Sequence, residues 1–160
     1  DSFTIEAWVN PNRVTGAQRF IWKNNGAAGG EFDGYYFMLA EHPDSGTYPF
    51  VFGVGDGSST SEVGGGNASV DAWYFVTGVR DKAAGKTRIY INGIHINEAV
   101  DNSANSNYAG DLYIGGRPGF SYEHFQGVID EVRIYSRSLT AFEIQKRYAE
   151  GLEKFKLVEK

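Results

Sequence analysis

A chain of 160 residues with 41% hydrophobic content can bury one sizeable core, so the sequence predicts a single globular domain over residues 1–160. Its net charge of -5 argues against a nucleic-acid partner, and no apolar run is long enough for a membrane span. Zero cysteines exclude disulfides and thiolate metal sites, whereas 21 glycines and 15% aromatic residues favour strands joined by tight turns, an all-β composition.

Short alternating or apolar runs recur along the chain between clusters of Gly, Asn, Asp and Ser, which is typical of a sandwich or barrel. The first run alternates with period two from Phe3 to Val9, so one face is expected to lie on the core. Asn92-Gly93 is the pair that a type I′ turn favours, which predicts a hairpin around it. The predicted strands cover 3–9, 19–23, 35–40, 49–54, 73–80, 87–92, 94–98, 111–115 and 125–135.

Three segments rich in Gly, Ser and Asn are predicted to be long surface loops, because strand-like runs continue at short intervals on both sides. These segments are 24–34, 53–67 and 101–111. The three tryptophans occur in strand contexts and are predicted to pack inside the sandwich. They are Trp8, Trp22 and Trp73.

One helix is predicted, over residues 140–149. Thr140 can cap its N-terminus, with Glu143 three residues on as the partner in a capping box. Gly151 is expected to end the helix as its C′ residue. In the tail 155–160, Phe155, Leu157 and Glu159 alternate with Lys156, Val158 and Lys160, so the tail is predicted either to form a strand or to fray.

Four segments carry a resemblance to a known family. They are SFTIEAWVNP at 2–11, AWYFVTGVRDKAAGKTRIYINGIHI at 72–96, LYIGGRP at 112–118 and FQGVIDEVRIYSRSLTAFEI at 125–144. In this order and spacing they resemble the laminin G-like, concanavalin A-like jelly-roll family, in particular the bacterial and archaeal branch found in large extracellular proteins. The resemblance spans residues 2–148 and implies two antiparallel sheets packed face to face.

The resemblance also implies a structural calcium ion. Asp130 corresponds to an aspartate that, in related jelly-roll glycanases, binds calcium together with backbone carbonyls. The alternative for Asp130 is an ordinary carboxylate that accepts hydrogen bonds from backbone or arginine groups. Relatives usually begin with one more strand, so the chain is expected to be either part of a longer protein or completed at that edge by the tail 155–160.

The acidic residues give no catalytic pair. Asp130 and Glu131 would point to opposite faces of a regular strand, which argues against a two-carboxylate centre. Glu31 and Asp33 lie among glycines, where a solvated turn is the expected environment. The three histidines have no metal-ligand spacing, so no catalytic residue is predicted and the protein is expected not to be an enzyme.

Sugar-binding residue types are concentrated in the loops. Proteins bind sugars through aromatic rings that stack on the apolar sugar face and through Asn, Asp, Arg and backbone groups that satisfy the hydroxyls. In the segment 115–124, Pro118 and Gly119 are expected to fix a turn that presents two aromatic rings. The alternative is that each ring covers one end of the core. The predicted ligand-binding residues are Tyr36, Asn107, Tyr108, Arg117, Phe120 and Tyr122.

The sequence therefore predicts an all-β fold, a two-sheet antiparallel β-sandwich of the concanavalin A-like jelly-roll type with one short C-terminal helix. The predicted function is a non-catalytic binding module of an extracellular or cell-surface protein, with carbohydrate as its partner and calcium as a structural cofactor. The alternative is a structural or adhesive spacer that binds protein or other domains of the same chain. An exposed apolar edge would favour that alternative.

Overall fold

A computed structural model describes residues 1–25, 32–40, 46–47, 49–105 and 108–156. Over these residues the chain forms ten strands in two antiparallel sheets of five, and one long helix follows the last strand, which confirms the predicted sandwich. The strands are β1 (Phe3–Pro11), β2 (Gln18–Asn24), β3 (Asp33–Leu39), β4 (Phe50–Asp56), β5 (Thr60–Gly65), β6 (Tyr74–Asp81), β7 (Lys86–Ile91), β8 (Ile94–Val100), β9 (Tyr113–Ile114) and β10 (Gly127–Tyr135). A 3-10 turn, η1 (Ser121–Glu123), precedes β10, and the helix is α1 (Ala141–Lys156).

The main core lies between the two sheets. The first sheet has the strand order β10-β1-β6-β7-β8 and the second has the order β5-β4-β3-β2-β9. Four phenylalanines of the second sheet fill the space between them and are fully buried, which stabilises the fold by about 1.5–3 kcal/mol for each ring. They are Phe20, Phe37, Phe50 and Phe52.

The strand β1 is buried on both faces, whereas its alternation predicts one buried face. Thr4, Glu6 and Trp8 point away from the main core and are nevertheless buried. The helix α1 covers Trp8, the segment just before α1 covers Thr4, and side chains of β10 cover Glu6. Glu6 is held there by Tyr135, whose hydroxyl donates to its carboxylate at 2.8 Å, and by Arg133 at 3.3 Å. The charge of Glu6 is therefore paired rather than isolated in the interior.

The helix begins where the sequence predicts and ends later. Thr140 Oγ1 accepts from the backbone N–H of Glu143 at 3.3 Å and Glu143 accepts from the backbone N–H of Thr140 at 2.9 Å, which confirms the capping box. The prediction that Gly151 ends the helix is wrong, because α1 continues to Lys156. A Cβ atom at residue 151 would come within 2.6 Å of the Trp8 indole, so glycine lets the helix lie directly on that ring.

The strand alternative for the tail is likewise wrong for residues 155 and 156, which are helical; residues 157–160 lie outside the described part of the chain. In the part that is described, no helix combines the length and the hydropathy that a membrane crossing needs.

The hairpins β7–β8 and β4–β5 compare differently with their predictions. Asn92 and Gly93 both have positive φ angles, 53° and 77°, as the predicted type I′ turn requires. By contrast, the segment 53–67 is not a continuous loop, because it contains the end of β4 and all of β5. Asp56 closes that hairpin by accepting backbone N–H groups of Ser58 and Ser59, both at 2.8 Å.

A β-bulge in β10 corrects the prediction that Asp130 and Glu131 point to opposite faces. Glu131 and Val132 together oppose Ala7 of β1, and Glu131 has a φ of 54°, in the left-handed region. The extra residue turns both carboxylates toward the same partner, since the Lys154 ammonium lies 3.1 Å from Asp130 Oδ2 and 2.7 Å from Glu131 Oε1.

Candidate functional site

The two sheets differ in what covers their outer faces. The helix and the residue Leu139 just before it pack on the outer face of the first sheet, where Leu139, Ile144 and Tyr148 form one cluster with Trp8 and Phe75. The outer face of the second sheet is lined instead by the side chains of its own strands and by the loop 115–124. The outer face of the second sheet is therefore the better place for side chains that contact a ligand.

One cross-strand row of residues runs over the whole outer face of the second sheet. In the strand register, Tyr113 of β9 opposes Trp22 of β2, and Trp22 opposes Tyr36 of β3. Tyr36 in turn opposes Gly53 of β4, which opposes Glu62 of β5. Neighbouring strands lie about 4.8 Å apart, so the row places three aromatic residues and a carboxylate in one line across the sheet.

Tyr36 lies flat over the sheet because Gly53 has no side chain. A Cβ atom on Gly53 would come within 2.5 Å of the Tyr36 ring. The ring is stacked on Trp22, with centroids 6.0 Å apart, and Phe32 contacts it from another side at 5.2 Å. The hydroxyl then reaches over β4 and donates a hydrogen bond to Glu62. Burial raises the pKa of Tyr36, and the bond to Glu62 raises it further, so the hydroxyl remains a donor.

Two arginines cover the aromatic row. The Arg19 guanidinium lies 5.0 Å from the centre of the Trp22 ring, and that of Arg117 lies 4.8 Å from it. Arg117 also lies 3.8 Å from the centre of the Phe120 ring, so its guanidinium is held between two aromatic residues. Such cation–π contacts fix the planes of both guanidinium groups.

Glu123 joins the two arginines. Its Oε2 accepts from Arg19 and lies 3.4 Å from Arg117 Nη1, with all three side chains largely buried. Burial lowers the pKa of Arg19, the Glu123 carboxylate opposes this, and the nearby charge of Arg117 lowers it further.

The two arginines, the aromatic residues that they contact and Glu123 together form what we call the arginine–aromatic cluster. Its members are Arg19, Trp22, Tyr36, Arg117, Phe120 and Glu123.

The loop 115–124 is folded back onto the cluster by a tight turn. The backbone N–H of Phe120 donates to the carbonyl of Arg117 at 3.3 Å, and η1 follows at once. Gly116 allows the ring of His124 to approach, since a Cβ atom there would lie 2.4 Å from it. The loop thereby places Arg117 and Glu123 on the outer face of the second sheet, next to Arg19 and Trp22 of β2.

The structure brings together four of the predicted ligand-binding residues and separates the others. Tyr36, Arg117 and Phe120 belong to the cluster, and Tyr122 lies at its rim, 68% exposed and 5.8 Å edge-to-face from Phe120. Tyr108 lies elsewhere, with the Lys23 ammonium 5.7 Å from its ring. Asn107 lies outside the described residues.

Sequence reasoning missed Arg19, Trp22, Glu62 and Glu123. Trp22 is buried, but it lies under the arginines on the outer face and not between the sheets, because Phe20 is an extra residue in a bulge of β2. That bulge has no local signature. Glu62 lies in the segment 53–67, which the sequence predicts to be a loop. The structure forms a strand there, in which exposed Thr60 and Glu62 alternate with buried Ser61 and Val63.

Asp130, the predicted calcium ligand, lies on the other sheet. Its Oδ1 accepts the Glu131 N–H at 2.8 Å, and its Oδ2 contacts Lys154. Among the described residues no three side chains of His, Cys, Asp or Glu are grouped as a metal site. This arrangement suits an ammonium ion, and a divalent ion would have to displace Lys154. Calcium binding at Asp130 stays a prediction.

Comparison with known proteins bears on the family and on the fold. The family model Laminin_G_3, described as the concanavalin A-like lectin/glucanases superfamily, matches residues 1–145. No curated protein matches the chain. The last eleven residues of α1 therefore extend beyond the part that the family shares.

Several solved structures share the fold at low identity. A Bacteroides ovatus protein described as a candidate carbohydrate binding protein is 22% identical, with a TM-score of 0.70, over 91% of this chain and 40% of that one. The CBM40 of Ruminococcus gnavus IT-sialidase, solved with α2,3-sialyllactose, is 16% identical, with a TM-score of 0.73, over 92% and 83%. A structure from a study of ganglioside interaction by botulinum neurotoxin type C is 15% identical, with a TM-score of 0.67, over 94% and 36%.

These likenesses show the fold. The chain spans less than half the length of the Bacteroides ovatus protein and of the neurotoxin chain.

Proposed function

Because the chain belongs to the concanavalin A-like lectin/glucanases superfamily, we propose that it is a non-catalytic carbohydrate-binding module of an extracellular or cell-surface protein. The proposed site is the arginine–aromatic cluster with Tyr122 at its rim. The observation that carries this proposal is that the cluster lies on the sheet face that α1 does not cover, with the exposed ring of Tyr122 at its rim.

The chemistry of the cluster suits a polyhydroxylated ligand. Guanidinium groups that are already stacked on rings lose little further freedom when their N–H groups bind a ligand. Tyr122 and Tyr113 expose ring surface next to these donors, and such a ring can stack on the apolar face of a sugar. Glu62 supplies an acceptor at the other end of the row.

The solved structures support the class of ligand. One is described as a candidate carbohydrate binding protein, one was solved with α2,3-sialyllactose, and one comes from work on ganglioside binding. Fold alone does not determine function, so the proposal depends on the cluster itself.

The proposal is tested with a panel of glycans and one matched pair of variants. The panel contains lactose, α2,3-sialyllactose, oligogalacturonate and the hexasaccharides of cellulose, xylan, mannan, laminarin and chitin. We expect wild-type protein to bind at least one member in isothermal titration calorimetry. Tyr122→Ala should weaken that binding about 10-fold with an unchanged Tm, because the ring is exposed. Tyr108→Ala, outside the cluster, is the control and should leave the affinity unchanged.

Phe120→Ala distinguishes a binding role from a packing role, since Phe120 holds Arg117 in place. Loss of affinity at constant Tm supports the site, whereas loss of folding assigns the ring to the core. A folded wild-type protein that binds no member of the panel would contradict the proposal.

A second candidate function is the structural or adhesive spacer. Ile114 of β9 and Val128 and Ile134 of β10 are each about half exposed, at one edge of the sandwich. An exposed apolar edge suits contact with another protein or domain. Self-association in sedimentation experiments that Ile134→Lys abolishes, together with no glycan binding, would favour this candidate.

A further inference from the structure

We propose that Glu62 selects the ligand of the arginine–aromatic cluster by accepting hydrogen bonds from the hydroxyl groups of a neutral sugar, and that Tyr36 positions Glu62 for this role. The inference rests on the proposed function, since it assigns a ligand class to the same site. A neutral sugar here means one without a carboxylate or sulfate at the position that faces Glu62.

Glu62 stands at the end of the cross-strand row, on the edge strand β5. Its side chain is exposed and projects from the same face as Trp22 and Tyr36, because the register Trp22–Tyr36–Gly53–Glu62 is unbroken. The aromatic residues, the arginines and this carboxylate therefore border one surface.

The side chain of Tyr36 is held in one position by its neighbours. Its ring is buried, stacked on Trp22, touched by Phe32 and seated over Gly53, where any side chain would collide with it. Its hydroxyl is thereby fixed in space, and it donates to Glu62 Oε1. An exposed glutamate on a strand normally samples several rotamers, whereas this bond selects those in which the carboxylate leans over the row.

The bond orients Glu62 but occupies only one of its two carboxylate oxygens. Oε1 receives the Tyr36 hydroxyl, and the hydrogen bonds found among the described residues leave Oε2 as an acceptor facing solvent. The bond is part-buried, but its Glu62 end is exposed, so water can replace the Tyr36 hydroxyl there and the bond adds little to stability. A fixed acceptor is instead useful for binding, since the entropy of ordering it has already been lost before the ligand arrives.

The chemistry of the row distinguishes neutral from acidic sugars. Hydroxyl groups can donate to Glu62 and accept from the arginine N–H groups, so a polyol satisfies both ends. A carboxylate or sulfate near Glu62 can donate nothing and is repelled by its charge. The geometry thus points to a neutral glycan with free hydroxyl groups.

The test uses the glycan panel described above with the variants Glu62→Gln, Glu62→Ala and Tyr36→Phe. We expect Glu62→Ala to weaken binding of the neutral glycans about 10-fold to 100-fold, as for loss of a hydrogen bond to a charged group. Tyr36→Phe, which removes only the hydroxyl, should weaken it about 3-fold to 10-fold. Because Tyr36 acts through Glu62, adding Tyr36→Phe to Glu62→Ala should cause no further loss.

Thr60→Ala is the matched control, since Thr60 is exposed on the same strand two residues away. It should leave the affinity unchanged. Tm values of all variants accompany the titrations, because a purely structural role of Tyr36 would lower the Tm and would persist in the Glu62→Ala background.

Three outcomes overturn the inference, and they are distinguishable. If Glu62→Ala leaves the affinity unchanged while Tyr122→Ala weakens it, Glu62 has no role but the proposed function stands. If only α2,3-sialyllactose or oligogalacturonate binds and Glu62→Gln tightens that binding, the ligand is acidic. If the folded protein binds nothing in the panel, both proposals fail.

Discussion

Lys154 places its ammonium between Asp130 and Glu131, two neighbours that a regular strand would hold apart. The contact with Lys154 lowers the pKa of Glu131, with help from the charge of Arg133, and the same carboxylates raise the pKa of Lys154. All these groups are partly exposed, so the ion pairs contribute modestly to stability.

Thermal melts with calcium and with chelator test the calcium prediction for Asp130. We expect 5 mM calcium, against chelator, to raise the Tm of wild-type protein by selective binding to the folded state, and Asp130→Ala to abolish the rise. Lys154→Met should enlarge it, because the ammonium no longer competes. A calcium-dependent rise of equal size in Asp130→Ala would rule out this residue as the ligand.

Among the elements, α1 packs so closely on Trp8 that the contact explains part of its sequence. Tyr148 stacks on Trp8 with centroids 5.7 Å apart, and Gly151 lies on the same indole one turn later. Glycine in a helix interior normally costs about 1 kcal/mol relative to alanine. The close approach to Trp8 explains why glycine is found in the middle of this helix.

Gly151→Ala should therefore lower the stability although it improves helix propensity. The added methyl would meet the Trp8 ring at 2.6 Å, and such overpacking costs about 1–3 kcal/mol. The measurement is the free energy of unfolding in urea. In a Trp8→Phe background, where the ring is smaller, the same substitution should cost less. A higher stability of Gly151→Ala in the wild-type background would show that the helix does not rest on Trp8.

At the scale of the whole molecule, the segment 101–105 fastens the two sheets together at one end. Arg80 of the first sheet donates to Asp101 Oδ2 at 2.7 Å and to Ser103 Oγ at 2.8 Å, and the Arg80 and Asp101 side chains are almost fully buried. Asp56 of the second sheet accepts from the backbone N–H of Ala104. A buried ion pair thus anchors a loop that contacts both sheets.

This anchor predicts a loss of stability in acid. Burial alone would raise the pKa of Asp101, but the hydrogen bonds from Arg80 and Ser103 outweigh it and the pKa is lowered. A carboxyl with a lowered pKa stabilises the fold fully above its unfolded pKa, about 3.9, and this contribution is lost as the pH falls through the folded value.

Asp101→Asn tests it, because the variant leaves the Arg80 charge buried without its partner. It should reduce the free energy of unfolding by about 3–5 kcal/mol at pH 7. The difference from wild type should shrink below about pH 4, as Asp101 is protonated in the wild type. Asp111→Asn, at an exposed aspartate, is the control. A difference that does not change with pH would assign the effect to packing.

The sequence determined those features that depend on neighbours along the chain. Alternation from Phe3 to Val9 places a strand on the core, Asn92-Gly93 provides the positive φ angles of a hairpin, and Thr140 with Glu143 closes a capping box. Four segments, in their order along the chain, were sufficient to identify the family. Each of these is a short-range preference that holds in nearly any surroundings.

Only the tertiary structure decided the features that depend on distant residues. The bulges in β2 and β10, which turn Trp22 outward and bring Asp130 and Glu131 together, come from pairing with strands elsewhere in the chain. Gly151 continues a helix rather than ending it because Trp8, more than a hundred residues earlier, lies against it. The arginine–aromatic cluster likewise needs β2, β3 and the loop 115–124 at one place. A stretch of sequence does not carry this information, because the contacts form only when the two sheets and the helix have packed.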